Sequence, residues 1–177
     1  MKSISIVLPV HNEKDNLDDL IKNWHNSLKH LKTDHEFVLV EDGSTDGTKE
    51  IISNLEKQYP IVNLSQNLKR GYSKAVLDGI YSSTKEYILC TDSDNQIRVN
   101  SLIENLNNFP KKDEFLIGYR NPRKDPLNRL IYSKIFKIFH YLLFRSKLRD
   151  PSCPFVIGLK TSYLKLNKTK LLFMKEG

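Results

Sequence analysis

The stretch YILCTDSDNQ, residues 87–96, carries an apolar run of strand length directly into two carboxylates, Asp92 and Asp94. Side chains alternate along an extended chain, so both carboxylates project to one side and can converge on a cation that prefers oxygen ligands. Mg²⁺ or Mn²⁺ suits such a pair, because these ions keep coordination positions open for substrate phosphates. Loop carboxylates more often cap turns or helices, and that structural role stays open as the alternative.

Four more apolar runs of strand length lie along the chain, at residues 4–10, 37–40, 61–64 and 115–117. Segments with helical spacing separate them, at residues 17–28, 51–55, 75–80 and 102–106. Nearly continuous apolar strands that alternate with helices predict an α/β fold with a mainly parallel sheet and helices on both faces. A chain of 177 residues is long enough for one such domain, so we expect residues 1–177 to form a single unit.

Polar clusters follow three of the predicted strands: residues 11–13, 41–44 and 92–96. Ligands of open α/β sheets bind at the carboxyl ends of the strands, so these clusters predict one binding site. Asp42 directly follows its strand and precedes Gly43, which favours a contact with a base or ribose. Asp46 stands before a helical segment and is interpreted as a cap. Lys69 and Arg70, near the start of the next helix, are secondary candidates for anion steering.

The net charge of +7 is unevenly distributed along the chain. Residues 1–68 carry 7 basic and 11 acidic side chains, whereas residues 69–177 carry 21 and 10. Residues 120–149 hold nine basic side chains and one acid, Asp125. Such a segment suits lipid headgroups, nucleic acid or phosphorylated substrates. We expect no nucleic-acid partner, because the segment lacks a recognisable reading motif.

The cellular context is predicted from cysteines and apolar runs. Two cysteines with neither zinc spacing nor a disulfide framework indicate a reducing compartment. The first residues enter a strand pattern without a signal peptide, which predicts a cytoplasmic protein. No run approaches the roughly 20 apolar residues of a spanning helix. Residues 131–144 form a strongly apolar run with basic residues at its flanks. Residues 126–147 therefore fit either a helix in the cytoplasmic membrane interface, which would make the protein peripheral, or a buried core helix.

Four segments in order, residues 7–13, 41–48, 70–75 and 92–96, resemble the family 2 glycosyltransferases of the GT-A fold. Later segments, residues 118–120, 127–133 and 149–152, look most like the polyprenyl-phosphate sugar synthases of the dolichol-phosphate mannosyltransferase type. The resemblance covers about residues 3–158. It implies an inverting enzyme that uses Mg²⁺ or Mn²⁺ and moves a sugar from a nucleotide-diphosphate sugar to a lipid-linked phosphate, namely polyprenyl phosphate.

The same resemblance assigns roles to individual positions. The nucleotide-sugar positions are Pro9, Val10, His11, Glu13, Asp42, Asp92, Ser93 and Asp94. The metal and diphosphate positions are Asp92, Asp94 and Gln96. The acceptor-phosphate positions are Arg120, Arg129 and Ser133, and the catalytic roles go to Asp94 and Arg120. Simpler interpretations remain: Glu13 caps the first helix, His11 fills its loop, and Arg149 forms a local ion pair with Asp150.

Two other functions stay open at this point. One is transfer to a glycan hydroxyl, which needs a carboxylate base downstream, whereas a phosphate acceptor is already ionised and needs none. The other is an inactive remnant that binds a nucleotide or a partner. The family resemblance implies further substrate-contacting residues beyond Gly177. We therefore expect a missing C-terminal segment or a partner to close the site.

Overall fold

The computed structural model describes residues 2–120, 127–145 and 148–166, and only the backbone of residues 127–129. Within these ranges the elements are β1 (Ser3–Val10), α1 (Leu17–His30), β2 (Asp34–Asp42), α2 (Thr48–Leu55), β3 (Ile61–Gln66), α3 (Tyr72–Ser82), β4 (Tyr87–Cys90), α4 (Asn100–Ile103), β5 (Phe115–Ile117), α5 (Leu127–Phe144) and β6 (Val156–Leu159). A 3-10 turn covers Leu106–Asn108, and residues 160–166 are helical.

The strands form one sheet in the order β3-β2-β1-β4-β6-β5. β1 pairs in parallel with β2 and β4, and β2 pairs in parallel with β3. β6 lies antiparallel between β4 and β5. The predicted strands and their mainly parallel arrangement are confirmed, while β6 was not predicted.

Helices cover both faces of the sheet, as expected. On one face α1 buries Leu17, Leu20, Ile21, Trp24 and Leu28. On the other face α3 and the helical residues 160–166 pack on a second core cluster that includes Val7, Val38 and Ile88. Burial of each such side chain contributes about 1.5–3 kcal/mol to folding.

The packing of α3 against the sheet is unusually close at Gly79. A Cβ atom at this position would collide with Val7 Cγ1 and would lie 3.1 Å from Val40 Cγ2. Glycine is therefore required for the helix backbone to rest directly on the side chains of Val7 in β1 and Val40 in β2. This contact brings the first turn of α3, which begins at Tyr72, to the carboxyl ends of those strands.

α5 presents most of its apolar side chains to solvent. Its large exposed side chains, between 45% and 73% accessible, are Ile131, Tyr132, Ile135, Phe136, Ile138, Phe139, Tyr141, Leu142, Leu143 and Phe144. The alternative of a buried core helix is therefore wrong. Residues 126, 146 and 147 of the predicted interface segment lie outside the described residues. Within the described ranges, no helix has the length and apolarity needed to cross a membrane.

Candidate functional site

A cavity of about 370 Å³ opens at the carboxyl ends of β1, β2 and β4, beside the start of α3. Its lining residues are Pro9, Val10, His11, Glu13, Asp42, Lys69, Tyr72, Ala75, Asp92, Ser93 and Asp94. The structure therefore brings together all eight residues that the resemblance assigns to a nucleotide sugar. We refer to this space as the first cavity.

Reciprocal hydrogen bonds join the loops that follow β1 and β2. The backbone amide of Asn12 donates to Ser44 Oγ at 3.0 Å, and the amide of Thr45 donates back to Asn12 Oδ1 at 2.9 Å. The amide of Glu13 donates to Thr48 Oγ1 at 3.0 Å. These bonds hold His11 and Glu13 at the mouth of the cavity. Glu13 also accepts from the side chain of Asn16 at 2.8 Å, which agrees with a structural role at the start of α1.

Asp46 stabilises the start of α2. Its Oδ1 accepts from the amide of Thr48 at 3.0 Å, and its Oδ2 accepts from the amide of Lys14 at 3.1 Å. The hydrogen bond from the Thr48 hydroxyl is the main cause that lowers the pKa of the Asp46 carboxyl. These contacts agree with the interpretation of Asp46 as a capping residue.

Asp42 binds the loop that precedes α3. Its Oδ1 accepts from the amide of Arg70 at 2.7 Å, and its Oδ2 accepts from the amide of Gly71 at 2.8 Å. At Gly43, with φ of +74°, a Cβ would lie 2.8 Å from the backbone nitrogen of Lys69. The group that approaches Gly43 closely is thus the backbone of Lys69, not a ligand. Each carboxylate oxygen of Asp42 keeps a second lone pair that a ribose hydroxyl can use.

Ser93, the residue between the two carboxylates, anchors this stretch to the end of β1. It is buried, and its hydroxyl donates to the carbonyl oxygen of Pro9 at 2.7 Å. Asp92, Ser93 and Asp94 all line the first cavity. Burial raises the pKa of the Asp92 carboxyl and the Asp94 charge raises it further, whereas a hydrogen bond from Tyr72 lowers it.

Two carboxylates that repel one another suit a divalent cation, because its charge offsets both burial and repulsion. Two oxygen-donor side chains also leave positions for substrate phosphates. Among the described residues, no group of three or more His, Cys, Asp or Glu side chains is placed to hold a metal. The carboxylates of Asp92 and Asp94 therefore fit a metal ion that substrate phosphates also coordinate, rather than a structural ion that protein ligands enclose.

The structure does not place Gln96 with the carboxylate pair. Asn95 has a φ of +59°, and the Gln96 amide donates to Asp94 Oδ1 at 3.1 Å, so the chain turns between them. Gln96 lines a second cavity of about 640 Å³ that lies beside α4 and the end of β5. Its metal role stays a prediction.

Arg120 lines the second cavity and forms an ion pair with Asp150. Its Nε donates to Asp150 Oδ2 at 2.9 Å, and its Nη2 donates to Ser152 Oγ at 2.8 Å. The Asp150 side chain is 6% exposed. The carboxylate that was expected to pair with Arg149 thus binds Arg120, while the Arg149 guanidinium lies 5.3 Å from the centre of the Tyr119 ring.

The predicted acceptor residues are only partly placed. Ser133 is half-buried in α5, and the side chain of Arg129 lies outside the described residues. Ser133 does not line the first or the second cavity. Their role beside Arg120 stays a prediction.

The sequence interpretation gave no role to Tyr72 or Ala75. Tyr72 lies in the first turn of α3, lines the first cavity and hydrogen-bonds Asp92. The sequence signal that could have identified Tyr72 was an aromatic residue with a hydroxyl group directly after Gly71. Of the two secondary candidates, Lys69 lines the cavity, whereas the guanidinium of Arg70 pairs with Asp78.

Comparison with known proteins places the chain among sugar transferases. The family model described as "Glycosyl transferase family 2" matches residues 5–172. The chain is 31% identical over 93 residues to a dolichol-phosphate mannosyltransferase of Pyrococcus furiosus, covering 52% of this chain and 26% of that protein. It is 28% identical over 123 residues to a poly-beta-1,6-N-acetyl-D-glucosamine synthase of Staphylococcus epidermidis, covering 70% and 29%. The chain thus spans less than a third of either relative.

Solved structures share the fold. Glucosyl-3-phosphoglycerate synthase from Mycobacterium tuberculosis, in complex with Mn²⁺, UDP-glucose and phosphoglyceric acid, superposes with a TM-score of 0.67 at 15% identity. The match covers 90% of this chain and 57% of that protein. The structural neighbours are GT-A glycosyltransferases, so the expected fold class is confirmed.

Proposed function

Because the chain belongs to glycosyl transferase family 2, we propose that it transfers a sugar from a nucleotide-diphosphate sugar to a polyprenyl phosphate, with inversion at the anomeric carbon. The observation that carries this proposal is the first cavity, which collects eight matching residues from three strand ends. The acceptor is chosen because of the dolichol-phosphate relative and the basic character of residues 120–149.

The donor binds in the first cavity. The backbone at Pro9 and Val10 and the side chains of Glu13 and Asp42 face the nucleoside, since they come from β1 and β2. Lys69 lies on the same wall and attracts the diphosphate. The rigid loops that Asn12 and Asp42 hold together preorganise this wall, so little ordering is needed when the nucleotide binds.

Asp92 and Asp94 would hold Mg²⁺ or Mn²⁺ against the diphosphate. When bound, such an ion supplies positive charge that stabilises the leaving nucleotide diphosphate. Ser93, between these carboxylates, fixes the stretch to β1 through its hydrogen bond to the carbonyl oxygen of Pro9. Tyr72 donates to Asp92 and so orients one of them.

The acceptor phosphate reaches the anomeric carbon from the side of Arg120, with Arg129 and Ser133 as further contacts. Guanidinium donors hold a phosphate through paired hydrogen bonds and fix its line of attack. A phosphate monoester is already ionised near neutral pH, so no side chain has to remove a proton. This agrees with Asp150, whose carboxylate is already engaged by Arg120 and Ser152.

We propose a peripheral position at the cytoplasmic face of the membrane, with α5 in the interface. The exposed apolar side chains of α5 and its neighbouring Lys134, Lys137 and Arg145 suit an anionic lipid surface. The lipid tail of the acceptor then stays in the bilayer while its phosphate reaches the site. Lys147, the last basic residue of the predicted interface segment, lies outside the described residues.

A glycan hydroxyl is the second candidate acceptor. It is favoured by the similarity to a poly-beta-1,6-N-acetyl-D-glucosamine synthase over 70% of this chain. This function requires a carboxylate base, and Asp150 is poorly suited to that role because Arg120 holds its carboxylate in an ion pair.

The test is transfer from radiolabelled UDP- and GDP-sugars into organic-extractable polyprenyl phosphate, with Mg²⁺ or Mn²⁺. We expect Asp94→Ala to lower kcat/KM on the order of a hundredfold or more, because a group that stabilises the leaving diphosphate is lost. Asp18→Ala, an exposed carboxylate of α1, is the matched control. Label in a glycan instead of the lipid would support the second acceptor. Metal-dependent nucleotide binding without any transfer would favour an inactive remnant.

A further inference from the structure

Glu41 is a fully buried carboxylate in β2, one residue before Asp42. Neighbouring residues of a strand face opposite sides of the sheet. On the side of α3, Asp42 accepts from the backbone amides of Arg70 and Gly71. On the side of α2, the Oε2 atom of Glu41 lies 3.4 Å from the ammonium group of Lys49. The two acids therefore act on opposite faces of the sheet.

Three groups contact the Glu41 carboxylate inside the protein. Its Oε1 accepts from the backbone amide of Ser44, and its Oε2 accepts from the hydroxyl of Ser65 at 3.2 Å. The third group is Lys49, which also donates to the carbonyl oxygen of Gln66 at 3.1 Å. A buried carboxylate is tolerated when donors and an opposite charge surround it. Glu41 thus joins the loop after β2 to α2 and β3.

Ser44 connects Glu41 to the first cavity. Its hydroxyl accepts from the backbone amide of Asn12 at 3.0 Å. Asn12 has a φ of +58° and stands between His11 and Glu13, which both line the first cavity. A backbone conformation with positive φ persists when the surrounding contacts determine it. A continuous series of hydrogen bonds therefore runs from the buried carboxylate to the wall of the cavity.

We propose that Glu41 is a positioning residue for the nucleotide-sugar donor and acts through Ser44 and Asn12 on the loop that carries His11 and Glu13. This inference rests on the proposed function, in which the first cavity binds the donor. Glu41 does not line that cavity, so it influences the donor only through its neighbours. A wall that is already ordered lowers the cost of binding. Loss of Glu41 therefore raises the donor KM and leaves kcat nearly unchanged.

The experiment measures the binding of UDP and of GDP, each with Mn²⁺, to Glu41→Leu by titration calorimetry. Leucine occupies a similar space but accepts no hydrogen bond, so the Ser44 amide loses its partner. We expect roughly tenfold weaker binding of the nucleotide that the wild type binds. Glu41→Gln should lose less than about threefold, because its amide oxygen still accepts from Ser44. In the sugar-transfer assay, Glu41→Leu should raise the donor KM by a similar factor.

Glu36 provides a matched control at the other end of β2. It is 7% exposed and accepts from the hydroxyls of Ser5 and Thr84, each at 2.6 Å. Six residues of strand, a length of about 20 Å, separate it from Asp42. Glu36→Leu should lower the unfolding temperature, as Glu41→Leu does, without weakening nucleotide binding. The comparison distinguishes a positioning role from a general loss of stability.

Ser44→Ala tests the same connection even where Glu41→Leu does not fold. It removes the acceptor for the Asn12 amide but leaves the Ser44 amide bonded to Glu41. We expect nucleotide binding to weaken by roughly threefold, because the lost hydrogen bond is exposed. The substitution should add little to the effect of Glu41→Leu, since both act on the same series of contacts.

Nucleotide binding within about twofold of wild type in both Glu41→Leu and Ser44→Ala would overturn the inference. An equal loss of binding in Glu36→Leu, or a fall in kcat at constant donor KM, would also overturn it. Wild type that binds neither nucleotide would overturn the inference together with the proposed donor. Glu41-dependent binding without sugar transfer would leave the inference standing and reject the proposed function.

Discussion

The carboxylate of Asp150 holds the guanidinium of Arg120 at two points. Nε donates to Oδ2 at 2.9 Å, and Nη2 donates to Oδ1 at 3.2 Å. The pair joins the end of β5 to the segment before β6, which are 30 residues apart in sequence. Nη2 also donates to Ser152 Oγ at 2.8 Å, so Asp150 and Ser152 together hold the guanidinium at the wall of the second cavity. Asp150 therefore acts as a positioning residue for Arg120.

Asp150→Asn is expected to lower kcat more than it changes the acceptor KM. An asparagine offers one acceptor oxygen instead of two, so the orientation of Arg120 loosens and kcat falls by roughly tenfold to a hundredfold. The acceptor KM should not rise, because a negative charge that repels the phosphate is also removed. Steady-state kinetics with varied acceptor measure both quantities. Asp113→Asn, which disrupts an exposed pair with Lys165, is the control and should leave both unchanged. An acceptor KM that rises at constant kcat would contradict this role.

Gly43→Ala is expected to destabilise the protein by about 1–3 kcal/mol and to weaken donor binding, because the residue has a positive φ and a backbone neighbour. The new methyl group would push on the Lys69 backbone, which cannot yield without moving the loop that Asp42 holds. Gly47→Ala is the matched variant: its φ is +100°, but its nearest neighbour is the flexible Lys14 side chain at 3.8 Å. Chemical unfolding and nucleotide titration should show the larger effect at Gly43. Equal effects of the two substitutions would refute the close approach as the cause.

Asp92→Asn is expected to stabilise the protein in the absence of divalent metal ions. The pKa of Asp92 is higher in the folded state than in the unfolded state, so the free energy of unfolding falls as the pH rises through the carboxyl range. Asparagine does not titrate and so avoids this fall in stability. Thermal unfolding from pH 3 to pH 8 in chelator should show no gain below about pH 3.9, where the carboxyl is protonated in both states, and a growing gain above it. Metal-dependent nucleotide binding should disappear in the same variant. A variant that is less stable than wild type at pH 8 would count against burial as the dominant cause.

Leu143→Glu is expected to release the protein from anionic vesicles without unfolding it. Leu143 is 73% exposed, so its replacement removes little packing, whereas a buried leucine at a membrane surface contributes about 1.5–3 kcal/mol. We expect at least about tenfold weaker vesicle binding in a flotation assay. Leu31→Glu, at an exposed leucine after α1, is the control. Wild type that remains at the bottom of the gradient would reject an interfacial α5.

The parallel half of the fold was predictable because its signals are local. Each of β1 to β5 is a short apolar run, and the polar residues after β1, β2 and β4 follow a general rule for parallel sheets. β6 was not predicted, because Val156–Leu159 is short and follows a proline-rich segment. Its place between β4 and β5 depends on pairs such as Leu89 with Ile157, which no local pattern contains.

The site residues divide in the same way: positions with a local sequence signal were predictable, and long-range contacts were not. Alternation predicted that Asp92 and Asp94 share one side, and both line the first cavity, although Ser93 between them lines it as well. The same alternation fails at Gln96, because Asn95 adopts a positive φ and ends the extended chain. The pairing of Arg120 with Asp150 was not predicted, because adjacency in sequence favoured Arg149. Long-range contacts between polar side chains have no periodic signal from which they can be inferred.

Gly79, a buried residue of α3, influences the width of the first cavity. Since the backbone of α3 at Gly79 rests on the side chains of Val7 and Val40, the position of its first turn, with Tyr72 and Ala75, depends on this contact. A larger residue at Gly79 would shift the first turn of α3, which lines the first cavity, without entering the cavity itself. Under the proposed function, a buried methyl group at this position would thus alter the fit of the nucleotide base from a distance.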